Sequence, residues 1–334
     1  MSLDPQRLAA LRHFAADRLA DPGVAPEPAS ADASFRSYWR VRSGTRSYVV
    51  MNAPPDKEDV APWLDVARRL RVAGLNAPEV FATDLAQGFI LMSDLGTRTY
   101  LPELRDDTVD ALYGDALHAL LRMQSQVATD ALPDYDHPRL LAELELMPTW
   151  FLQRHLGLVP GCAGWDVIEP AFDRLLQAAL AQPRAFVHRD WHSRNLLVVE
   201  GANPGIVDFQ DAVRGPATYD LVSMLRDCYV AWPRARVLAW AEGHRVALRS
   251  AGLVDADAAT WKRWFDLMGI QRHVKVLGIF CRLWYRDGKA GYLGDLPLVL
   301  RYTLEVCDEY PELRPFAAFL RDAVGARDVR VPRP

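Results

Sequence analysis

Residues 185–220 read AFVHRDWHSRNLLVVEGANPGIVDFQDAVRGPATYD. Here His188, Arg189 and Asp190 are followed by Asn195, and Asp208, Phe209 and Gln210 close a short apolar segment. Residues 196–199 and 205–207 have the apolar, β-branched make-up of two short strands, with the turn residues Gly201, Asn203 and Pro204 between them. Such a hairpin sets Asn195 and Asp208 at adjoining strand ends, where both can reach one metal ion.

That set of side chains suits one chemistry. Transfer of a phosphoryl group to a hydroxyl needs a carboxylate at the acceptor oxygen and hard oxygen ligands for magnesium. The spacing H-R-D-x-x-x-x-N, with an aspartate at the end of a following strand, supplies them. Asp190 is therefore the candidate general base, with Asn195 and Asp208 the candidate magnesium ligands and ATP the donor. His188 is read as a packing residue that hydrogen-bonds the loop. His188 and His192 have a zinc-like separation, but the metalloprotease pattern requires glutamate where Arg189 stands, and a helix where a loop is expected. Asp220 follows Gly215 and Pro216 on an expected helix. It is read as a buried carboxylate accepting backbone N–H groups of the catalytic loop, because Leu221, Val222 and Leu225 must pack beneath that loop; the alternative is an exposed first-turn acid. Asp211 is left open between metal and solvent.

Composition sets the frame. A chain of 334 residues that is half apolar can build two domains or one large unit with two lobes. The net charge of -4 and the lack of a long basic run argue against nucleic acid or an anionic membrane as main partner. Asp4, Arg7, Arg12, Asp17 and Arg18 are unlike a secretory signal. No apolar run approaches the ~20 residues of a membrane span. Cys162, Cys228, Cys281 and Cys307 are too dispersed for a zinc knuckle or a C-x-x-C pair, which fits free thiols in a reducing cytoplasm.

Outside the central stretch, periodicity predicts a helix over 5–19, a linker over 21–30, strands over 35–41 and 46–52, a helix over 58–73 and strands over 79–83 and 89–93. Beyond Gly96 the pattern turns helical: 108–126, 138–155, 166–182, helices opening at Pro216 and Pro233, and a strongly amphipathic segment over 258–285. The lobe boundary falls near residues 94–96.

The run HRDWHSRN…IVDFQDAVRGPATYDL resembles the aminoglycoside phosphotransferase family, a branch of the protein-kinase-like fold. The likeness is specific over 185–222 and extends in layout over about 30–300. It implies an α+β, bilobal protein-kinase-like fold: a small β-rich N-lobe over 1–95 for nucleotide and a larger, mainly helical C-lobe over 96–334 for the catalytic loop, metal and acceptor. It also implies ATP, magnesium and a small-molecule hydroxyl acceptor. Residues 91–96 map to the hinge whose backbone holds adenine, making Met92, Ser93 and Leu95 nucleotide contacts. His192 occupies the place where protein kinases commonly carry a lysine near the transferred group. It is either an imidazolium stabilising developing charge or a neutral loop residue. The phrases NAPPDKED (52–59), MSDLG (92–96), DFQDAVRGPATYDLVSMLRDCYV (208–230) and QRHVKVLGIFCRL (271–283) are similar to those of the family's anomeric amino-sugar kinases. That similarity implies phosphorylation of the C1 hydroxyl of N-acetylmuramate and N-acetylglucosamine in peptidoglycan recycling.

The chain departs from the kinase pattern at Met51, which stands where the phosphate-binding lysine belongs. With no G-x-G-x-x-G or G-x-x-x-x-G-K-[ST] present, residues 33–38, including Ser34 and Arg36, are the candidate phosphate path, with an ordinary turn as the other reading and Lys57 as another cation. Residues 271–289 are basic and aromatic, which favours a neutral or anionic acceptor over an aminoglycoside or choline. Arg272, His273, Arg282, Arg286 and Lys289 are the candidates for a substrate carboxylate. Trp284, with Tyr285, is the candidate for stacking on a sugar ring. A kinase for another small alcohol and a non-catalytic pseudokinase remain as rivals. The oligomeric state is not legible.

Overall fold

A computed structural model describes residues 3–31 and 35–333. Ser34, one of the expected phosphate contacts, lies outside the described residues. In chain order the helices are α1 (Pro5–Leu19), α2 (Ala61–Val72), α3 (Tyr100–Glu103), α4 (Val109–Gln126), α5 (His137–Leu144), α6 (Cys162–Leu180), α7 (Tyr219–Leu225), α8 (Arg234–Ser250), α9 (Ala258–Tyr285), α10 (Leu296–Glu309) and α11 (Arg314–Val324). The strands are β1 (Glu27–Ala31), β2 (Ser37–Ser43), β3 (Arg46–Asn52), β4 (Val80–Asp84), β5 (Phe89–Ser93), β6 (Arg184–Val187), β7 (Leu196–Leu197), β8 (Gly205–Ile206) and β9 (Val213–Pro216). Packing groups the chain into residues 1–119 with 194–211, and residues 120–193 with 212–334. That is a different cut from a single break at residue 95, because residues 96–119 and the β7–β8 hairpin belong with the first unit.

The first unit is built on an antiparallel sheet of order β1-β2-β3-β5-β4. Alternation along β2, β3 and β5 sends Trp39, Val41, Val50, Phe89 and Leu91 to one face, where they pack on Leu11, Phe14 and Ala15 of α1. Asp4 caps α1 by accepting from Arg7 N at 3.2 Å, and Pro5 fits its first turn. The expected linker over 21–30 is corrected: Glu27–Ala31 forms the edge strand β1, with Glu27 opposite Arg40. Pro28 had argued for a linker. At an edge its missing N–H costs no ladder bond, and the register shifts between Pro28 and Ser30 as at a bulge.

The second unit is mostly helical. The helix expected over 138–155 is interrupted: α5 ends at Leu144 and the chain rewinds as a π-helix over Met147–Leu156. Pro148 explains the break, since it lacks the N–H that a continuous α-helix would use. Pro216, expected to open a helix, instead closes β9 opposite Arg184, and α7 starts at Tyr219.

The amphipathic reading of α9 is also corrected. Its residues 265–278 are buried without a break, as in a helix hydrophobic all round and packed at the centre of a unit. It lies against α6, α7, α8, α10 and the π-helix. Gly278 permits the closest of these approaches: a Cβ there would sit 2.4 Å from the backbone carbon of Leu146. Charged residues on α9 are therefore carried into the interior, where each needs a partner or a function. Among the described residues no helix is long and apolar enough to cross a membrane.

Candidate active site

The loop over residues 188–193, the candidate catalytic loop in the second unit, is pinned by buried acids. Asp220 in the first turn of α7 is fully buried, and its two carboxylate oxygens accept from His188 N at 2.6 Å and Arg189 N at 3.0 Å. These are the hydrogen bonds expected of it. Burial pushes its carboxyl up to about 7 against the pull of those N–H groups, and the charge of Asp190 adds to the rise. Asp227, which the sequence argument missed, accepts from Ser193 N at 2.9 Å and from the Ser193 hydroxyl. It lies seven residues past Asp220, just beyond the end of α7. Gln182 holds the entry to α7 by accepting from Thr218 N at 3.1 Å and Thr218 Oγ1 at 2.7 Å.

Arg189 is left-handed, with φ 76°, a strained conformation for a side chain of its size. Its guanidinium donates to Glu143 Oε1 at 2.6 Å. Lys275 Nζ donates to the same oxygen at 2.7 Å and to Tyr219 Oη at 3.0 Å. Glu143 is buried, which raises its carboxyl, but Lys275 and Arg189 outweigh that and hold it below the usual range. Nothing in the sequence around Glu143 marked it. His188 is fully buried, accepts at Nδ1 from Asp190 N at 3.3 Å, and meets Trp191 edge-on.

Asp190 is half-buried. Burial raises its carboxyl, but the positive charges of His192, Lys275 and Arg272 prevail and hold it below the usual value. It lines a cavity of about 160 Å³ in the second unit together with Arg189, His192, Tyr219, Cys228, Tyr229, Arg272 and Lys275. The remaining wall is Val276, Ile279, Phe280, Leu283 and Tyr292. His192 packs edge-on against Tyr229, with ring centroids 5.6 Å apart.

The cavity is met by one stripe of α9, Arg272, Lys275, Val276, Ile279, Phe280 and Leu283, at helical spacing. Of the acceptor residues expected from the 271–289 segment, only Arg272 is among them. His273 points elsewhere: its Nε2 pairs with Arg226 O at 3.0 Å, its ring stacks on Tyr302, and burial drives its pKa down to about 3. Arg286 is exposed and bonded to Asp287 at 2.8 Å. Arg282, Trp284 and Lys289 are half-buried and do not line the cavity. Tyr285 Oη accepts from Arg333 N at 2.8 Å. The physical reason is helical phase: charge and aromaticity recur over the whole segment, but one face meets the cavity. Lys275, Tyr229, Phe280 and Tyr292 line the cavity instead. A larger groove of about 740 Å³ between α10, α11 and the C-terminal tail holds no motif residue, and within it Arg321 pairs with Asp308 and Arg330 with Asp328.

In the first unit, Asn195 Nδ2 donates to Asp208 Oδ2 at 3.0 Å, and Gln210 Nε2 donates to Asp208 Oδ1 at 2.9 Å. Asp208 has φ 64°, a second strained non-glycine position. Phe209 anchors it by packing on Trp63, with ring centroids 5.2 Å apart. The hairpin behind them is shorter than expected. Val198 N turns away to Arg98 O at 2.7 Å, and Ile206 N to Asn76 O at 2.9 Å. A carboxylate beside an amide oxygen is the hard donor set magnesium takes when phosphates and water complete its shell. Among the described residues no group of three or more His, Cys, Asp or Glu is poised for a metal.

The expected hinge is tied into the same unit. Ser93 N donates to Glu79 O at 2.9 Å, Met92 is buried, and Leu95 Cδ1 lies 3.4 Å from where a Cβ on Gly205 would stand. Asp94 accepts from Arg40 Nε at 2.6 Å and from Gly96 N at 3.0 Å. Met51 is fully buried in β3. Arg36 is buried, while Lys57 is exposed with its Nζ 5.1 Å from the centroid of the Phe35 ring. Glu58 Oε1 accepts from Phe35 N at 3.0 Å, so the segments carrying the two candidate phosphate cations adjoin.

Residues 26–264 match the phosphotransferase enzyme family. The chain belongs to that family. It is 46% identical over 290 residues to a Pseudomonas aeruginosa relative named N-acetylmuramate/N-acetylglucosamine kinase, covering 86% of this chain and 85% of that one. A Pseudomonas putida relative of the same name is 42% identical over 301 residues, covering 90% and 88%. Among solved structures, an ADP-bound aminoglycoside phosphotransferase aligns with TM-score 0.58 at 16% identity, over 91% of this chain and 99% of that one. An ethanolamine kinase from Plasmodium vivax aligns with TM-score 0.63 at 10% identity, over 92% and 89%. At such identities the structures speak for the fold, which is the kinase-like α+β fold that the resemblance implies.

Proposed function

We propose that this phosphotransferase transfers the γ-phosphoryl group of ATP to the C1 hydroxyl of N-acetylmuramate and N-acetylglucosamine, in the cytoplasm, for reuse of cell-wall sugar. The observation that carries the reading is the cavity holding Asp190. It carries Arg272 and Lys275 rather than a wall of acids, which disfavours a cationic acceptor such as choline. Its apolar side can take a ring face and an acetyl methyl group. The names of the relatives agree with this acceptor.

In this reading Asp190 accepts the proton of the C1 hydroxyl as that oxygen bonds to the γ-phosphorus and the bond from the γ-phosphorus to the ADP oxygen breaks. A carboxyl held below its usual range by Lys275, Arg272 and the nearby histidines orients the hydroxyl well but is a weak base. A hemiacetal hydroxyl loses its proton more readily than an ordinary alcohol and so suits it. Asn195 and Asp208 hold magnesium, which when bound neutralises phosphate charge. Residues 1–95 serve as the nucleotide lobe, with Met92, Ser93 and Leu95 at the adenine. Arg36 and Lys57, with Ser34, serve the phosphates in place of a lysine at Met51. Residues 96–334 carry the catalytic loop, metal and acceptor sites, and His192 faces the transferred group.

A panel of amino sugars, aminoglycosides and amino alcohols read by ADP release tests the reading. The expected product is a sugar 1-phosphate, whose phosphorus couples to the anomeric proton in NMR. A 6-phosphate, or a preference for an aminoglycoside or choline, overturns it.

A further inference from the structure

Two cations line the Asp190 cavity, and they differ in what they already hold. Lys275 is committed, with its Nζ on Glu143 Oε1 at 2.7 Å and Tyr219 Oη at 3.0 Å. Arg272 is not. It is only 5% exposed, yet its Nη1 meets a thiol, Cys228 Sγ, at 3.4 Å, and its buried Nε meets no acceptor among the described residues. A guanidinium out of water with donors unused costs far more than an exposed one, unless a ligand completes it. A thiol is a weak acceptor and does not offset that cost. Asp190 and Asp227 lie near enough for their charges to favour the guanidinium.

We propose that Arg272 is the specificity-determining residue of the acceptor site, forming with its planar fork a subsite for a carboxylate on the sugar, the lactyl group of N-acetylmuramate. This deepens the proposed function and rests on it. The transferred phosphoryl group is the other anion a guanidinium could serve. The part of the wall beside Arg272 favours the acceptor: Val276, Ile279 and Phe280 on the same stripe are apolar and suit a sugar face, whereas a phosphoryl group presents three charged oxygens that one guanidinium does not satisfy. A carboxylate needs one bidentate partner, which the fork supplies.

Arg272→Gln separates the roles through a ratio. The variant should lower kcat/KM for N-acetylmuramate roughly 10- to 100-fold more than for N-acetylglucosamine, chiefly through KM, the size of a lost charge-assisted pair. Equal losses with both sugars would instead give Arg272 to the phosphoryl group or to Asp190, and overturn the subsite. So would an unchanged ratio. Because an internal substitution can unfold the chain, the same question is put to the wild-type enzyme with the methyl ester of N-acetylmuramate. The neutral ester should lose a similar factor in KM relative to the acid, and an ester as good as the acid refutes the subsite without any variant. A wild-type enzyme that phosphorylates N-acetylglucosamine without discriminating acid from ester sinks this inference alone. One that phosphorylates neither sugar sinks the functional reading and this inference with it.

Discussion

The loop over residues 188–193 and the cavity-lining stripe of α9 both bring charge into a buried setting, and they are held in different ways. The loop is held by its backbone: Asp220 takes the N–H groups of His188 and Arg189, and Asp227 takes that of Ser193. The side chains of Arg189, on Glu143, and of Ser193, on Asp227, add to that hold on either side of Asp190. The α9 stripe is held by the packing of a whole helix, and its side chains carry the interactions themselves: Lys275 on Glu143, Arg272 on Cys228. The contrast implies that substitutions in the loop acceptors disturb positioning, whereas substitutions on the stripe change which ligand fits.

The largest expected effect is at the loop. Asp190→Asn is nearly isosteric and keeps the backbone bonds, so the thermal midpoint should hold while kcat falls ~10²–10⁴-fold with either sugar. A folded variant with near-normal kcat would remove Asp190 from the role of base. Next comes the metal pair. Asp208→Ala should remove the magnesium-dependent part of ATP binding in calorimetry and leave acceptor binding largely intact; an unchanged magnesium dependence would show that the Asn195–Asp208 pair is structural.

A third test weighs backbone holding directly. In Asp220→Asn the amide oxygen can accept one N–H, leaving another buried and unmatched, at a cost of about 1–3 kcal/mol. The pH dependence carries the sign. Burial pushes the Asp220 carboxyl up to about 7, above the ~3.9 of an unfolded aspartate, so the folded state binds this proton more tightly. Its contribution is full below pH ~3.9 and is lost as pH rises through about 7. The midpoint of the wild type relative to Asp220→Asn should therefore decline from about pH 4 to about pH 7. A rise over that range would mean that the two N–H groups win over burial and hold the carboxylate ionised.

The smallest effect sharpens the helical side of the comparison. Arg286 belongs to the same basic segment as Arg272, but it is exposed and paired with Asp287 outside the cavity. Arg286→Ala should change stability by no more than about 0.5 kcal/mol, as surface substitutions do. It should leave the ratio of the two sugars alone. A selective loss with N-acetylmuramate would return the carboxylate site to the end of the helix and away from Arg272.

The candidate residues for the chemistry could be picked out in the chain because the motif is local. Asp190, Asn195 and Asp208 sit within a short stretch whose spacing and turn residues follow from backbone geometry, and Asp220 could be reasoned into place from the apolar residues beside it. Most strands and helices followed from their periods, which need only near neighbours, while the bilobal α+β fold was what the family resemblance implied. Other features depended on residues far away in sequence. Pro28 sits in an edge strand because β2 offers a partner that does not need its N–H. Glu143 holds Arg189 and Lys275 across separations of 46 and 132 residues, and no local pattern announces it. Above all, the basic and aromatic run of α9 contains cations all around the helix. Composition states that they are present, but only the helices packed about it decide which stripe meets the cavity, and so only tertiary structure could single out Arg272 among its neighbours.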